Sequence, residues 1–368
     1  MINCEATILK LLSQSGVRFL RACNAPFNNM YITLQGRVSP CWKLPGFCET
    51  WSKDKSLMDI WQGDVFQKYR DALSQNVFLD RCMECKRDID NDVWPLAKAY
   101  KKFPVNTMPS LMEIELSNQC NLECIMCNGN LSSGIRKNRD NLPPLPQIFD
   151  DSFLEQMREF IPHLTELRVN GGEPFAQKIL LDLLDVVAEI KPELKINIAT
   201  NGTVYNKRVQ GILDKCNIHL NISIDSLIPE RYEEIRVNGN FDTLMKYFDI
   251  FKDYCHTNKR SLSIMVNPMN MNWDEMIEFV RFTDKHQCNL WYNTILYPTH
   301  VTLKHLPGAK LAAIINDMKK ELNTIIGFRN YDKAKHLISQ LENWCLDSLD
   351  GTQIDLYTDG GSLINATR

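Results

Sequence analysis

The stretch Ser117-Asn-Gln-Cys-Asn-Leu-Glu-Cys-Ile-Met-Cys-Asn128 holds three cysteines in a C-x3-C-x2-C run, directly after the strand-like segment Met112-Glu-Ile-Glu-Leu116. Three thiolates can bind three irons of a cubane four-iron cluster, which leaves the fourth iron open to a ligand that is not protein. The alternatives are a three-thiolate zinc site or three buried structural cysteines, because free cysteine is among the most buried residue types. The motifs that follow the run along the chain favour the cluster.

Outward from this run, short apolar segments alternate with segments of helical spacing as far as about Leu296. This alternation predicts parallel strands joined by crossover helices. The predicted strands are Met112–Leu116, Glu166–Asn170, Lys195–Thr200, His219–Ile224, Ser261–Asn267 and Asn289–Leu296. The predicted helices are Ser152–Phe160, Lys178–Ile190, Lys207–Asp214, Phe241–Cys255 and Trp273–Lys285. The fold class is therefore α/β, a partial (β/α)6 TIM-like barrel.

Polar motifs stand where the predicted strands end, which is the functional edge of a parallel sheet. They are Asn170-Gly171-Gly172-Glu173-Pro174 after the second strand, Thr200 and Asn201 at the third, Ser223 and Asp225 at the fourth, and Asn267 after the fifth. The two glycines let backbone groups approach a ligand closely, and Pro174 can begin a helix because its missing N–H costs nothing there. Alone, the glycine pair would indicate only a turn.

The cysteine run and the Gly-Gly-Glu-Pro segment together resemble the radical S-adenosylmethionine (SAM) superfamily. The resemblance implies that Cys120, Cys124 and Cys127 are catalytic and bind a 4Fe-4S cluster whose open iron is chelated by the amino and carboxylate groups of SAM. It also implies that SAM is cleaved reductively to a 5'-deoxyadenosyl radical, which abstracts hydrogen from a substrate C–H bond.

The same resemblance assigns SAM-binding roles to the polar motifs. Asn170, Gly171, Gly172 and Pro174 would form the turn at the methionyl amino group, with the carboxylate of Glu173 near the ammonium. The ribose and methionine would lie beside Thr200, Asn201, Ser223 and Asp225. Arg236 would pair with the SAM carboxylate, although it is also readable as a solvated helix-surface arginine. Asn267 would lie near the adenine or ribose, and Met126 holds a position that is commonly aromatic in the family.

A second set of cysteines, Cys23, Cys41, Cys82 and Cys85, precedes the predicted barrel. Strand-like Tyr31–Leu34 and the turn Gln35-Gly36 place Cys41 on a β-hairpin, and residues 49–61 lead into a helix that ends near Cys82. This arrangement resembles the twitch/SPASM auxiliary-cluster domains of radical SAM enzymes, which implies a second 4Fe-4S cluster with a role in electron transfer. A Cys4 zinc knuckle is the alternative. Cys48 is a possible substitute ligand, and in relatives this domain usually follows the barrel.

The composition and net charge of the chain indicate its binding partners and its compartment. The chain has 368 residues, 44% of them hydrophobic and 24% charged, and a net charge of −3, so no basic field predicts binding to nucleic acid or to an anionic membrane. Thirteen cysteines, an odd number, with no signal peptide or membrane span read from the sequence, predict metal binding in a reducing cytoplasmic compartment. Cys4, Cys216, Cys255 and Cys288 are interpreted as buried small hydrophobes.

The predicted domains are residues 1–105 for the auxiliary cluster, 106–297 for the barrel, and 298–368 for a helical tail. The tail carries a degenerate hairpin in which Gly361 and Ala366 would correspond to Gly36 and Cys41. Substrate contacts are expected from Trp291, Tyr292, Asn293 and Tyr297, which could equally close the barrel core.

The predicted activity is that of a radical SAM oxidoreductase acting on a small molecule in a net oxidation, either a dehydrogenation or the formation of a crosslink. A reducing partner such as flavodoxin or ferredoxin would supply electrons. A peptide-modifying maturase and a non-catalytic iron-sulfur electron carrier are the alternatives.

Overall fold

The computed structural model describes residues 22–44, 46, 49–90 and 95–349. Its strands are β1 Asn29–Ile32, β2 Arg37–Ser39, β3 Glu49–Thr50, β4 Leu111–Glu115, β5 Glu166–Asn170, β6 Lys195–Thr200, β7 Ile218–Ser223, β8 Leu262–Val266 and β9 Asn289–Tyr292. Its α-helices are α1 Ala25–Asn28, α2 Leu57–Gln62, α3 Asp64–Ser74, α4 Cys82–Asp90, α5 Pro95–Lys101, α6 Ser133–Asn138, α7 Asp151–Phe160, α8 Lys178–Ile190, α9 Lys207–Lys215, α10 Pro229–Ile235, α11 Phe241–Thr257, α12 Met276–Lys285, α13 Gly308–Leu322 and α14 Tyr331–Leu349.

The described strands form one sheet in the order β3-β2-β1-β4-β5-β6-β7-β8-β9. From β4 to β9, each strand pairs in parallel with the next strand along the chain. At least one α-helix lies in each connection between these six strands. Consecutive parallel strands with helical crossovers form a partial (β/α)6 barrel, so the predicted fold class is confirmed.

Apolar residues at strand and helix spacing build the barrel core. Buried and partly exposed residues alternate along β6 and β7, which gives each strand one buried, mainly apolar face. On α8, Leu180, Leu183, Leu184 and Val187 are fully buried at helical spacing and pack in the same core cluster as Ile198 of β6. The core therefore holds the strand ends, and the loops that follow them, in a fixed arc.

The segment before the barrel contributes strands to the barrel sheet itself. β1 pairs antiparallel with β2, as the predicted hairpin requires, and Gly36 occupies the turn with φ +74°. On its other edge, β1 pairs in parallel with β4, with Met30 opposite Met112. The hairpin was predicted correctly. Its attachment to the first barrel strand was not, because periodicity identifies a strand but not its neighbour.

Most element boundaries agree with the sequence to within two residues, and three differ. The last strand ends at Tyr292 rather than Leu296. The helix expected to end near Cys82 ends at Ser74, and Cys82 begins α4 instead. The segment that starts at Trp273 opens with a 3-10 turn, and its α-helix begins at Met276.

The C-terminal region beyond β9 is helical, through α13 and α14. Gly361 and Ala366 of the predicted degenerate hairpin lie outside the described residues, as do Cys4 and Cys48. The domain boundaries at residues 105 and 297 stay predictions. None of the described helices has the length and apolarity needed to cross a membrane.

The prediction that three single cysteines are core residues is confirmed. Cys216, Cys255 and Cys288 are each at most 5% exposed and belong to the main apolar cluster.

Candidate active site

A cavity of about 260 Å³ opens at the carboxyl ends of the barrel strands. Its described lining consists of Tyr31, Trp42, Glu115, Cys120, Leu122, Cys124, Met126, Cys127, Leu131, Asn170, Gly171, Gly172, Ala199, Thr200, Asn201, Ser223, Arg236, Met265, Asn267, Asn293 and Ile295. The cavity therefore brings together residues from the ends of six strands, β1 and β4 to β8. Of the predicted SAM-site residues, only Glu173, Pro174 and Asp225 are outside this lining.

The loop that carries the three cysteines is fixed by backbone hydrogen bonds to the last residue of α10 and to the residues that follow it. Glu123 N–H donates to the carbonyl of Val237 at 2.9 Å, and Ile125 N–H donates to that of Ile235 at 3.0 Å. These bonds flank Cys124 on the loop and Arg236 on the partner segment. The side chain of Arg236 consequently lies beside the middle cysteine.

Burial makes the thiolate forms of these cysteines costly without a neighbouring positive charge. It raises the pKa of the Cys120 and Cys127 thiols to about 12. It also raises the pKa of Cys124, although the guanidinium of Arg236 opposes that shift. A metal centre supplies the positive charge that keeps such thiols ionised. Three thiols in a cavity that is also lined by polar groups and glycine backbone fit a cluster that has one open iron.

Arg236 is buried and forms an ion pair, so it is not a helix-surface residue. Its guanidinium lies 2.7 Å from Oδ2 of Asp225, which is fully buried, and 3.9 Å from Sγ of Cys124. Oδ1 of Asp225 also accepts the Asn267 N–H at 2.7 Å. Asp225 thus ties the ends of β7 and β8 to Arg236, and through it to the cysteine loop. The alternative of a solvated surface arginine is wrong.

The glycine pair is required by the packing of the chain itself. Gly171 and Gly172 have φ of +82° and +52°, and a Cβ on Gly172 would lie 2.3 Å from the carbonyl oxygen of Gln119. The Glu173 N–H donates to that same carbonyl at 2.8 Å. The Gly-Gly turn therefore packs directly against the residue before Cys120. Close approach to SAM was the reason given from the sequence, and contact with the cysteine loop is the reason visible here.

Glu173 is fully buried, and its carboxylate is hydrogen-bonded within the protein. Oε1 accepts bonds from Thr200 Oγ1 at 2.7 Å and from Phe175 N–H at 3.1 Å, and Oε2 accepts one from Asn201 N–H at 2.7 Å. Pro174 begins a 3-10 turn rather than an α-helix. The position of Glu173 next to the methionyl ammonium stays a prediction, and in this structure the side chain joins the β5 loop to β6.

The remaining polar residues link neighbouring strand ends around the cavity. Asn201 Nδ2 donates to Oδ1 of Asn121 on the cysteine loop at 2.9 Å. Asn293 Nδ2 donates to Oδ1 of Asn267 at 3.2 Å. Asn170 Nδ2 is buried, and none of the described residues accepts a hydrogen bond from it. A ligand with an acceptor group at this point would satisfy that donor.

Tyr31, Trp42 and Glu115 line the cavity, although the sequence did not identify them as site residues. Tyr31 is the penultimate residue of the hairpin strand β1, and Glu115 ends β4. Tyr31 Oη donates to Oε1 of Glu115 at 2.9 Å. Glu115 and Arg236 are the charged residues in the described lining. The one available signal was the position of Glu115 at a strand end, five residues before Cys120.

Of the four residues expected near the end of the last strand, Asn293 lines the cavity. Trp291 is 48% exposed, with the ammonium of Lys333 3.4 Å from its ring centroid. Tyr292 packs against the core and donates to the carbonyl of Met276. Tyr297 lies at the surface, 36% exposed.

The second set of cysteines also converges. Cys23, Cys41, Cys82 and Cys85 all line one apolar cavity, closed partly by Leu96 and Tyr100 among others. Burial raises the pKa of Cys23 to about 11 and that of Cys82 to about 12. In the described part of the chain, no three His, Cys, Asp or Glu side chains meet closely enough to hold a single metal ion. Four thiols that line one cavity are a donor set that an iron-sulfur cluster can use.

Comparison with known proteins places these two sites in defined families. Residues 114–283 match the model of the radical SAM superfamily, and residues 23–86 match that of the SPASM iron-sulfur cluster-binding domain. The two matches cover the three-cysteine loop and the four upstream cysteines, respectively.

Curated relatives are similar over the radical SAM part. A GTP 3',8-cyclase of Limosilactobacillus fermentum is 26% identical over 183 residues, which are 49% of this chain and 52% of that protein. The mitochondrial GTP 3',8-cyclase of Arabidopsis thaliana is 26% identical over 182 residues, 49% of this chain and 44% of that protein. The chain thus spans about half the length of the curated relatives it matches.

Among solved structures, Streptococcus suis SuiB bound to S-adenosylmethionine aligns with a TM-score of 0.45 and 19% identity, over 72% of this chain and 58% of that one. The cofactors that follow from the two family matches are a SAM-binding 4Fe-4S cluster, an auxiliary iron-sulfur cluster and SAM. The chain contains a radical SAM superfamily domain and, N-terminal to it, a SPASM iron-sulfur cluster-binding domain.

Proposed function

We propose that this protein is a radical SAM oxidoreductase that removes hydrogen from a C–H bond of a small molecule. When bound at Cys120, Cys124 and Cys127, the cluster would supply one electron for cleavage of SAM to a 5'-deoxyadenosyl radical, the species that abstracts the hydrogen. The chain contributes binding, orientation and exclusion of water.

One observation carries the proposal: a single cavity is lined by the three cysteines and by residues from the ends of β5, β6, β7 and β8. Gly171, Thr200 and Asn267 are positioned there by buried hydrogen bonds or packing that involve no ligand. A preformed site of this kind holds its ligand with little reorganisation. Arg236 offers donors for the carboxylate of SAM, and Asn170 Nδ2, which has no acceptor among the described residues, offers one for a hydroxyl group.

The net oxidation is supported by how close the two cysteine sites are along the chain. Cys41 lines the four-cysteine cavity, and its neighbour Trp42 lines the three-cysteine cavity. Consecutive Cα atoms are about 3.8 Å apart. The two cavities therefore meet at adjacent residues of the chain. An auxiliary cluster held by Cys23, Cys41, Cys82 and Cys85 would lie close to the substrate cavity, where it can accept the second electron. The substrate's proton would pass to a base in the cavity. Glu115 is the carboxylate in the described lining that would accept it.

A small-molecule substrate is favoured by the curated relatives, whose names give GTP as the molecule they act on. That support is limited to the substrate class, because the similarity covers about half of each relative.

The test is anaerobic reconstitution followed by reaction with dithionite and SAM, with 5'-deoxyadenosine measured by mass spectrometry. The wild-type protein should form the nucleoside, and the Cys120→Ala variant should not. The matched control is Cys288→Ala, which removes a buried core thiol outside both sites. Deuterated candidate substrates, with GTP as one arm, then report hydrogen abstraction as label in the nucleoside. A wild-type protein that binds about eight irons and forms no nucleoside would instead be an electron carrier.

A further inference from the structure

Three residues of the active-site cavity come from outside the set predicted to bind SAM. Tyr31 is on β1, Trp42 follows β2, and Glu115 ends β4. We call these three residues the hairpin wall, because two of them belong to the segment of the β1–β2 hairpin. In the sheet, β1 and β4 are neighbours, whereas most of the predicted SAM residues lie at the ends of β5 to β8. The hairpin wall is thus a part of the lining that a second molecule can contact beside SAM.

The carboxylate of Glu115 is held in a defined position on this wall. Glu115 is 7% exposed, and its Oε1 accepts the hydrogen bond from Tyr31 Oη at 2.9 Å. The Gly-Gly turn packs beside it, since a Cβ on Gly171 would lie 3.1 Å from the Cβ of Glu115. A buried carboxylate loses much of the solvation that it has in water, and a cationic group of a ligand compensates for that loss.

The charged side chains around the cavity carry more negative than positive charge. Glu115 and Arg236 are the charged residues of the described lining, and the guanidinium of Arg236 lies 2.7 Å from the buried carboxylate of Asp225. Lys43 follows Trp42 along the chain but is not in that lining, and its ammonium lies 3.5 Å from Glu84. Two carboxylates and one guanidinium therefore set the charge that the described side chains present to a ligand.

The bound cofactors would not reverse this charge. SAM brings a carboxylate together with an ammonium and a sulfonium, and the three thiolate ligands make the cluster a counter-charge to them. A triphosphate in this cavity would place several negative charges near the carboxylate of Glu115, and the guanidinium of Arg236 is already paired with Asp225. Like charges at such close range oppose binding strongly.

We propose that the hairpin wall binds the ammonium group of the substrate, which is a small primary amine with a flat or apolar body. Glu115 supplies the negative charge, and Tyr31 and Trp42 supply aromatic rings, whose faces attract cations. This inference rests on the proposed function and deepens it, because it names the substrate class and sets aside nucleoside triphosphates such as GTP.

The experiment measures the binding of matched probes to the reconstituted full chain, with SAM present and oxygen excluded. Tyramine, tyrosol and 4-hydroxyphenylacetate share a hydroxyphenyl body and end in an ammonium, a hydroxyl and a carboxylate group, respectively; GTP is the fourth probe. Titration calorimetry without reductant gives the affinities in the absence of turnover. Glu115→Gln removes the charge and keeps an acceptor for Tyr31. Glu234→Gln on α10, an exposed position, is the matched control.

We expect the wild type to bind tyramine about tenfold or more tightly than 4-hydroxyphenylacetate and GTP, with tyrosol between them. Glu115→Gln should weaken the binding of tyramine about tenfold and change that of tyrosol by less than about twofold, whereas Glu234→Gln should behave as the wild type. The unequal response of tyramine and tyrosol separates recognition of charge from a loss of structure. The order of affinities in the wild type is a test that needs no variant.

Three results overturn the inference: GTP or 4-hydroxyphenylacetate binds the wild type as tightly as tyramine, none of the four probes binds, or Glu115→Gln weakens tyramine and tyrosol equally. Failure of the proposed function has a different signature. In that case the probes bind in the expected order, yet the protein reduced with dithionite forms no 5'-deoxyadenosine from SAM.

Discussion

Replacement of Glu173 separates two roles for the carboxylate of the Gly-Gly-Glu-Pro segment. If it served the SAM ammonium, neutralising it would weaken SAM binding and leave the empty protein as stable as before. If it joins β5 to β6, as its three buried hydrogen bonds indicate, the cost should appear in the stability of the protein without SAM.

The magnitude follows from the donors that lose their acceptor. Glu173→Ala leaves the buried N–H groups of Phe175 and Asn201 without a partner, at about 1–3 kcal/mol each, so we expect a loss of about 4 kcal/mol in the free energy of unfolding. Glu173→Gln retains an acceptor oxygen but turns its NH2 group toward one of those N–H donors. Because burial raises the pKa of Glu173, removing the charge offsets part of that cost, and Glu173→Gln should lose less stability than Glu173→Ala.

Guanidinium unfolding at pH 7 measures both variants without SAM, and titration calorimetry of the reconstituted proteins measures SAM affinity. Glu115→Gln is the matched control, since its carboxylate lines the cavity and an amide oxygen can still accept the bond from Tyr31. We expect it to lose less stability than Glu173→Ala. A Glu173→Ala protein as stable as wild type, with SAM affinity reduced tenfold or more, would refute the argument.

Four further outcomes are expected. Gly172→Ala should lose more than 2 kcal/mol of stability, measured by denaturant unfolding, because its Cβ would lie 2.3 Å from a backbone carbonyl at φ +52°. Arg236→Lys keeps the positive charge but loses the planar guanidinium that contacts both Asp225 and Cys124. The variant should be less stable by about 1–3 kcal/mol, and the paramagnetic resonance spectrum of its reduced cluster should be altered. Cys41→Ser should lower bound iron from about eight to about four per chain, whereas Cys288→Ser should leave iron content unchanged. Burial lowers the pKa of His219 to about 4, so stability present above pH 6.5 should decline as the pH falls toward 4, with a shallower decline in His219→Gln.

The sign of the His219 prediction follows from its hydrogen bonds. Nδ1 accepts the N–H of Ser261 at 2.9 Å, which a protonated imidazole cannot do. The folded state therefore binds a proton more weakly than the unfolded chain, and acid favours unfolding through this group. Identical slopes of stability against pH in wild type and variant would contradict this reasoning.

Local sequence patterns were sufficient to locate the barrel strands and the cavity wall they carry. Alternation of apolar residues identified β5 and β6 at their observed bounds, and parallel pairing then placed the loops after them at one edge. Thr200 and Gly171 line the cavity for that reason. Their positions depend on neighbours that are close along the chain or one strand away.

Contacts between distant segments could not be predicted in the same way. Tyr31 reaches Glu115 only because β1 pairs with β4, about 80 residues further along, and nothing in the hairpin sequence specifies that partner. The role of Glu173 was likewise not predictable from its motif, since it depends on the backbone of Asn201 approaching from the next strand. The residue type of Glu173 suggested that it contacts a ligand, whereas the packing of the chain determines which atoms its carboxylate contacts.

The pairing of β1 with β4 also explains how the cluster-binding segment can precede the barrel. Asn29 on β1 donates to Oε1 of Glu113 on β4 at 3.1 Å and to the carbonyl of Pro40, the residue before Cys41, at 2.9 Å. Tyr100, on the wall of the four-cysteine cavity, donates to the same Glu113 oxygen at 2.8 Å. A paired strand and a buried hydrogen-bond network, rather than a linker, thus set the separation of the two cysteine sites. The segment that precedes the barrel along the chain is thereby attached to the barrel sheet through β1, at the edge beside β4.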